Sequence, residues 1–400
     1  MSKTHSPSTD LRGLSKMTIT AIVGVTELVE AVHLNILQGT SKAGLPLQQP
    51  LAGATGLVYR SVRGITHLVG NGIDGLLRRV TPLLGQRSAW PGREAVLAAL
   101  NGVLGDYLAD SNNPLAITMQ FRRGGQALAL ERDALAAAIP EANGRILVLA
   151  HGLCMNDLEW NRREHDHGAA LARDRGYTPV YLHYNSGRHI SSNGHSFDAL
   201  LETLMQQWPV PVEELVIVGH SMGGLVSRSA CHVAADKDRA WLRALRKMVF
   251  LGTPHHGAPL ERGGNWFHVI TDISSYTAPF SNLGKIRSAG ITDLRYGTLL
   301  DSDWEGRDRF ANLRDRRQPV PLPQHVQCCT VAVTTGKQTG DLSDSLLGDG
   351  LVPLQSALGR HENADLRLSF APENQWIGYE MNHLDLLNRP EVYQRLLGWL

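Results

Sequence analysis

The chain has 400 residues, of which 42% are hydrophobic, 19% charged and 6% aromatic, with 40 glycines and 19 prolines. Globular chains have this composition, which excludes a disordered, collagenous or repeat-dominated protein; the length allows two or three domains, or one large α/β domain with insertions. Lys and Arg number 39 against 38 Asp and Glu, a formal net charge of +1, so no global field recruits nucleic acid or an anionic membrane, and no nucleic-acid partner is expected.

Residues 1–114 read as an N-terminal helical extension. Leu28, Val32 and Ile36 repeat at spacing four, and Val62, Ile65, Leu68 and Val69 share one helical face. Gly39 to Gly56 between them has the Gly and Pro content of a linker. Arg60, Arg63, Arg78 and Arg79 border the second stripe, which suits a helix packed on the main domain better than one lying on a membrane surface. Glu27 and Glu30, close after the short apolar run from Ile19 to Val25, argue against a cleavable secretory signal. No stretch of 18 uninterrupted apolar residues marks a spanning helix. The four cysteines, Cys154, Cys231, Cys328 and Cys329, form neither a disulfide framework nor a CxxC metal site. The expected location is cytoplasmic, with peripheral membrane contact through the N-terminal helices or a lid as the variant.

From Ala116 the pattern changes. Ala116 to Phe121 and Gln126 to Leu130, joined through Gly124 and Gly125, predict a β-hairpin. Apolar runs follow at Ile146 to Ala150, Val180 to Leu182, Leu215 to Val218, Met248 to Leu251 and Val326 to Val333. Short continuous runs of this kind are strands buried on both faces of a mostly parallel sheet. Helical patterns at Gly168 to Arg175, Phe197 to Trp208 and Gly223 to Ala235 alternate with them, which predicts an α/β fold over residues 115–400. Two segments break the alternation. Residues from about 255 to 324 are too long for an ordinary connection and read as a lid or cap. Asn185 to His195 is polar and glycine-containing and reads as a loop at a strand's carboxyl end, where open α/β sheets bind ligands.

The sharpest motif is Gly219-His220-Ser221-Met222-Gly223, a G-x-S-x-G pattern that follows an apolar strand and opens a helix. Ser221 is therefore the candidate nucleophile. A serine hydroxyl needs a histidine base oriented by a carboxylate, and in this arrangement the chain order is Ser, acid, His. His383, in a loop-like stretch before a final helix from about Pro390, is the favoured base, with His361 the runner-up. Asp349, between Gly348 and Gly350, is the favoured acid over Asp341 and Asp344. The oxyanion donors are expected to be the amides of Met222, next to the nucleophile, and Leu153, in the loop after the strand at Ile146 to Ala150. His165-Asp166-His167 reads as a solvated polar cluster in preference to a metal pair, His255 and His256 as part of the site's rim, and Cys154 as a small packing residue. No cofactor or metal is expected.

These motifs together resemble the lipase group of the α/β-hydrolase superfamily, including bacterial triacylglycerol lipases and glycosylphosphatidylinositol-deacylase-like esterases. The resemblance runs through HGL at His151, GHSMGG at Gly219, LGTPHHG at Leu251, GDGLVP at Gly348 and NHLD at Asn382. It implies an α/β-hydrolase fold, a triad of Ser221, Asp349 and His383, and a lid over an acyl pocket to which Trp266, Phe267, Tyr276 and Phe280 contribute. Asp385 matches a calcium-binding aspartate of the bacterial lipases, but the sequence supplies no second ligand. The expected function is hydrolysis of lipid or other acyl esters through an acyl-enzyme. The alternatives are an acyltransferase or thioesterase using the same residues, and a non-catalytic hydrolase-fold protein that binds a membrane or partner through its N-terminal helices.

Overall fold

The structure is a computed structural model that describes residues 92–258, 288–308, 315–337 and 348–400. The expected linker, the arginine-bordered stripe, the four lid aromatics, Asp341 and Asp344 all lie outside the described residues. In chain order the elements are α1 (Arg93–Asp110), β1 (Gln120–Arg123), β2 (Gln126–Ala127), α2 (Arg132–Ala138), β3 (Arg145–Ala150), α3 (His167–Arg175), β4 (Thr178–His183), α4 (Ile190–Gln207), β5 (Glu214–His220), α5 (Met222–Asp236), α6 (Ala240–Ala244), β6 (Leu245–Leu251), α7 (Ala289–Asp293), β7 (Gln327–Val333), α8 (Leu354–Ala357), β8 (Gln375–Gly378) and α9 (Pro390–Trp399).

Eight strands form one sheet in the order β2-β1-β4-β3-β5-β6-β7-β8. The hairpin pairs antiparallel, within itself and onto β4, while β3 to β8 are all parallel to one another. The expected mostly parallel sheet with flanking helices, the α/β-hydrolase architecture, is what forms. The continuous apolar runs exist because both faces are covered. Ile146, Val148 and Ala150 pack with Phe197 and Leu201 of α4 and Val226 of α5, whereas Leu147 and Leu149 pack with Leu171 of α3 and Leu396 of α9. Each fully buried aliphatic side chain contributes about 1.5–3 kcal/mol, so the two layers hold the strand ends, where the site is built. Among the described residues no helix is long and apolar enough to cross a membrane.

Three details differ from the sequence reading. The hairpin is shorter and shifted, pairing Arg122 with Ala127 and Arg123 with Gln126 across Gly124 and Gly125, both at positive φ; a two-residue turn of that handedness fixes the register. Residues 190–195, read as loop, are the first turns of α4. Their polar side chains are absorbed by close packing: Asn193 Nδ2 donates to Asn185 O at 2.9 Å, and Ser191 accepts from Trp304 Nε1 at 2.9 Å. Finally, β8 is a four-residue strand at the sheet edge, too short for its alternation to register. The reading of His165-Asp166-His167 as a solvated cluster fails at His167, whereas His165 and Asp166 are partly exposed. His167 is fully buried and its Nε2–H donates to Leu386 O at 2.9 Å, tying α3 to the segment before α9.

Candidate active site

Strand order brings the expected residues to one edge. The parallel strands β3, β5, β6, β7 and β8 lie side by side, and their carboxyl ends lead respectively to the His151 loop, Ser221, Gly252, the Asp349 loop and the His383 loop. Register aligns those ends, with Ala150 opposite Gly219, His220 opposite Leu251, and Leu251 opposite Val331.

Ser221 stands between β5 and α5 with φ 53° and ψ −124°. A non-glycine residue in that region carries about 1–3 kcal/mol of strain and persists only where its surroundings impose it. Here they do. The Ser221 N–H donates to Leu251 O at 2.8 Å, and Gly224 N–H to Ser221 O at 3.1 Å. The flanking glycines leave room for the turn. A Cβ on Gly219 would stand 2.6 Å from Gly224 Cα, and one on Gly223 would overlap the Ala150 carbonyl. The amino terminus of α5 is thereby pressed against the end of β3. Ser221 itself is 9% exposed.

The same approach puts the His151 loop beside the elbow, where a Cβ on Gly152 would lie 3.1 Å from Ser221 Cβ. His151 braces this loop: its ring stacks on Tyr184 at 4.3 Å, its Nδ1–H donates to Gly152 O at 2.8 Å, and Tyr184 Oη donates to His151 O at 2.8 Å. Burial pushes the His151 pKa down to about 3, so the ring is neutral. Among the described residues neither the Leu153 nor the Met222 amide has a protein acceptor. For Met222 this follows from its place as the first residue of a helix, whose leading N–H groups have no intrahelical partner.

The residues expected as acid and base lie together. His383 Nδ1 lies 2.6 Å from Asp349 Oδ2, and both side chains are almost fully buried. The other carboxylate oxygen, Oδ1, accepts the amides of Leu351 at 2.9 Å and Val352 at 2.8 Å. With Nδ1–H donating to Asp349, the unprotonated nitrogen is Nε2, which is buried and without a hydrogen bond. His383 reaches the elbow through His220, whose Nε2 is 3.3 Å from His383 O and whose ring centroid is 4.8 Å from the His383 ring. No hydrogen bond joins Ser221 to His383 in this structure.

Other expectations resolve more simply. His361 stands apart from this pair, its ring 4.9 Å from that of His256 and its Nε2 3.9 Å from Asp315. His255 is buried against Phe250, and Arg317 donates to its carbonyl at 3.1 Å, so it lies beneath the surface and not at a rim. Cys154 is fully buried and burial pushes its thiol pKa up, as a packing residue requires. Asp385 accepts the Asn382 amide at 2.9 Å, and among the described residues no three His, Cys, Asp or Glu converge. The bracing by Tyr184 and the contact of His220 with His383 were not read from the sequence; each depends on register between distant segments.

Residues 177–337 match the family model described as a PGAP1-like alpha/beta domain. That span holds the GHSMGG and LGTPHHG motifs and ends before Asp349. No curated protein matches the chain. Solved structures similar to it include the mature form of a Bacillus licheniformis lipase, 19% identical over 64% of this chain and 91% of that one with a TM-score of 0.43. A Pyrococcus furiosus esterase is 13% identical over 65% of this chain and 82% of that one, with a TM-score of 0.35. The type II thioesterase YbtT of a yersiniabactin pathway is 13% identical over 64% of this chain and 92% of that one, with a TM-score of 0.37. The matched model describes an alpha/beta domain, and the sheet with its flanking helices is of that class.

Proposed function

We propose that the chain is a serine hydrolase that cleaves carboxylic esters, with lipid or other acyl esters as its substrate class, through an acyl-enzyme on Ser221. The observation that carries this reading is the strained Ser221 at the strand-to-helix turn, together with a buried Asp349–His383 pair at neighbouring strand ends. A merely structural turn has no need of a serine at φ 53°.

In this reading Ser221 Oγ attacks the ester carbonyl carbon as His383 Nε2 takes its proton. The tetrahedral oxyanion is held by the Met222 and Leu153 amides. Asp349 stabilises the imidazolium, and His220, which burial keeps neutral by holding its pKa well below the ordinary histidine value, adds no opposing charge beside it. His383 then protonates the leaving alkoxide, the alcohol departs, and the acyl group remains on Ser221. Water attacks the acyl carbon with His383 as base, releasing the acid and restoring the serine.

Hydrolysis of p-nitrophenyl esters from acetate to palmitate, by the wild type and Ser221→Ala, tests the proposal. Turnover lost in the variant supports it, and rates that rise with chain length support a lipid acyl group. A folded wild type that hydrolyses none of the series overturns it.

A further inference from the structure

Helix α1 runs outside the segment in which the catalytic motifs occur, yet it is buried on nearly every side, from Val96 to Gly105 and at Leu108. It carries two interior glycines, Gly102 and Gly105. A glycine inside a helix costs about 0.5–1 kcal/mol relative to alanine, so a close approach by another segment has to justify each. Both approaches exist. Gly105 faces Asn185, whose Nδ2 donates to Gly105 O at 2.8 Å. Gly102 faces Cys154: a Cβ there would overlap the Cys154 Sγ and stand 3.0 Å from its Cα.

Cys154 is the residue after Leu153, and its φ is 59°. A left-handed backbone without glycine is imposed by its neighbours. The Cys154 N–H donates to Ser186 Oγ at 3.0 Å, and the thiol is seated in the space left by Gly102. Cys154 is bonded directly to Leu153, so a displacement of the Cys154 backbone is passed to the residue that carries the Leu153 amide. The same helix also holds the point at which the chain returns from residues 259–287. Ser288 Oγ donates to Gly102 O at 2.6 Å, and Ala289 N–H to Asp106 Oδ2 at 3.0 Å.

We infer that α1 is part of the catalytic unit and that Gly102 is a positioning residue, setting the Leu153 oxyanion donor through its contact with Cys154. The inference rests on the hydrolase reading and extends it to residues that never touch substrate. Adding a methyl at Gly102 displaces Cys154, rotates the Leu153 amide, and weakens the oxyanion in the transition state while leaving ground-state binding alone. The expected signature is a fall in kcat at constant KM.

The experiment uses the full-length chain and p-nitrophenyl butyrate, with melting temperature measured on every variant. Gly102→Ala is expected to lower kcat by about tenfold or more, within the roughly 10²–10³-fold range for a lost oxyanion donor, at unchanged KM. The double variant Gly102→Ala/Cys154→Gly removes the clashing thiol and suits the positive φ, so its kcat should return to that of Cys154→Gly alone. Ser186→Ala, which adds no bulk and removes the acceptor of the Cys154 amide, should lower kcat several-fold. A Gly102→Ala enzyme that melts lower but keeps its kcat overturns the inference, as does a loss that the double variant fails to restore. If Gly102→Ala does not fold, Ser186→Ala decides, and an unchanged kcat there overturns it. A wild type inactive on every ester overturns the hydrolase reading itself, a different result from an active wild type with indifferent variants.

Discussion

The main-chain N–H of His383 donates to the carbonyl oxygen of Asp349 at 3.0 Å, while the His383 ring faces the carboxylate of the same residue at 2.6 Å. Two contacts between one pair fix both the place of the imidazole and the nitrogen that carries its proton. The loops after β7 and β8 are joined at this point.

Asp349→Asn follows from this directly. The amides of Leu351 and Val352 hold the side-chain oxygen, so the new NH₂ turns toward His383 Nδ1 and forces the proton onto Nε2, where a base must have none. Turnover is expected to fall by about 10⁴-fold with little change in stability. Steady-state kinetics and a urea melt check both halves; a loss under tenfold contradicts the assignment of the acid.

Gly223→Ala tests the elbow. Alanine's helix preference, worth about 1 kcal/mol, favours the substitution. Against it, the new Cβ would overlap the Ala150 carbonyl and stand 2.6 Å from that of His151, and neither can move without disturbing β3 and the His151 loop. Overpacking costs about 1–3 kcal/mol and is expected to win, giving a lower urea midpoint together with reduced turnover. A stabilised, fully active variant would contradict the packing described here.

Tyr184→Phe keeps the stack on His151 but leaves the buried His151 carbonyl without its 2.8 Å hydrogen bond. The expected cost is about 1–3 kcal/mol in chemical denaturation, because a buried acceptor is left unsatisfied. Turnover should fall as well, since this bond braces the loop carrying Leu153. Equal stability of the two proteins would show that the brace is not needed.

His167 supplies a pH prediction. Burial pushes its pKa down to about 4 from the ordinary 6.5. The unfolded chain therefore binds a proton that the folded chain refuses as pH falls from 6.5 to 4. The stabilisation is complete above pH 6.5 and is lost across that window, by up to about 3 kcal/mol. Glu159 acts with the opposite sign: burial raises its pKa to about 8, so its contribution is lost as pH rises from about 4.5 to 8. The difference between wild type and His167→Gln isolates the histidine. Urea midpoints measured from pH 4 to 8 should converge toward acid pH for the two proteins.

The strands most legible in the sequence were those buried on both faces, because Ile146 to Ala150 or Leu215 to Val218 can be apolar throughout only in a covered parallel sheet. The strand-to-helix turn at Ser221 was legible because it needs small residues on both sides, and the meeting of Asp349 with His383 was expected from glycines and a loop that mark them in chain order. Residues whose role depends on register were not. The first turns of α4 carry polar side chains that pair with Asn185 and Trp304, so their pattern imitates a loop. His167 is buried by Leu386, over 200 positions away in the chain, and nothing in its neighbours reveals that. Nothing in the neighbours of Gly102 along the chain reveals that Cys154 packs against it.

The most direct test of the central claim is reaction of the full-length chain with a fluorophosphonate probe, followed by peptide mapping of the adduct. A single adduct on the peptide containing Ser221, absent from Ser221→Ala and strongly slowed in His383→Ala, is the result expected of a serine activated by that histidine. A folded chain that stays unlabelled, or one that carries the label elsewhere, contradicts it.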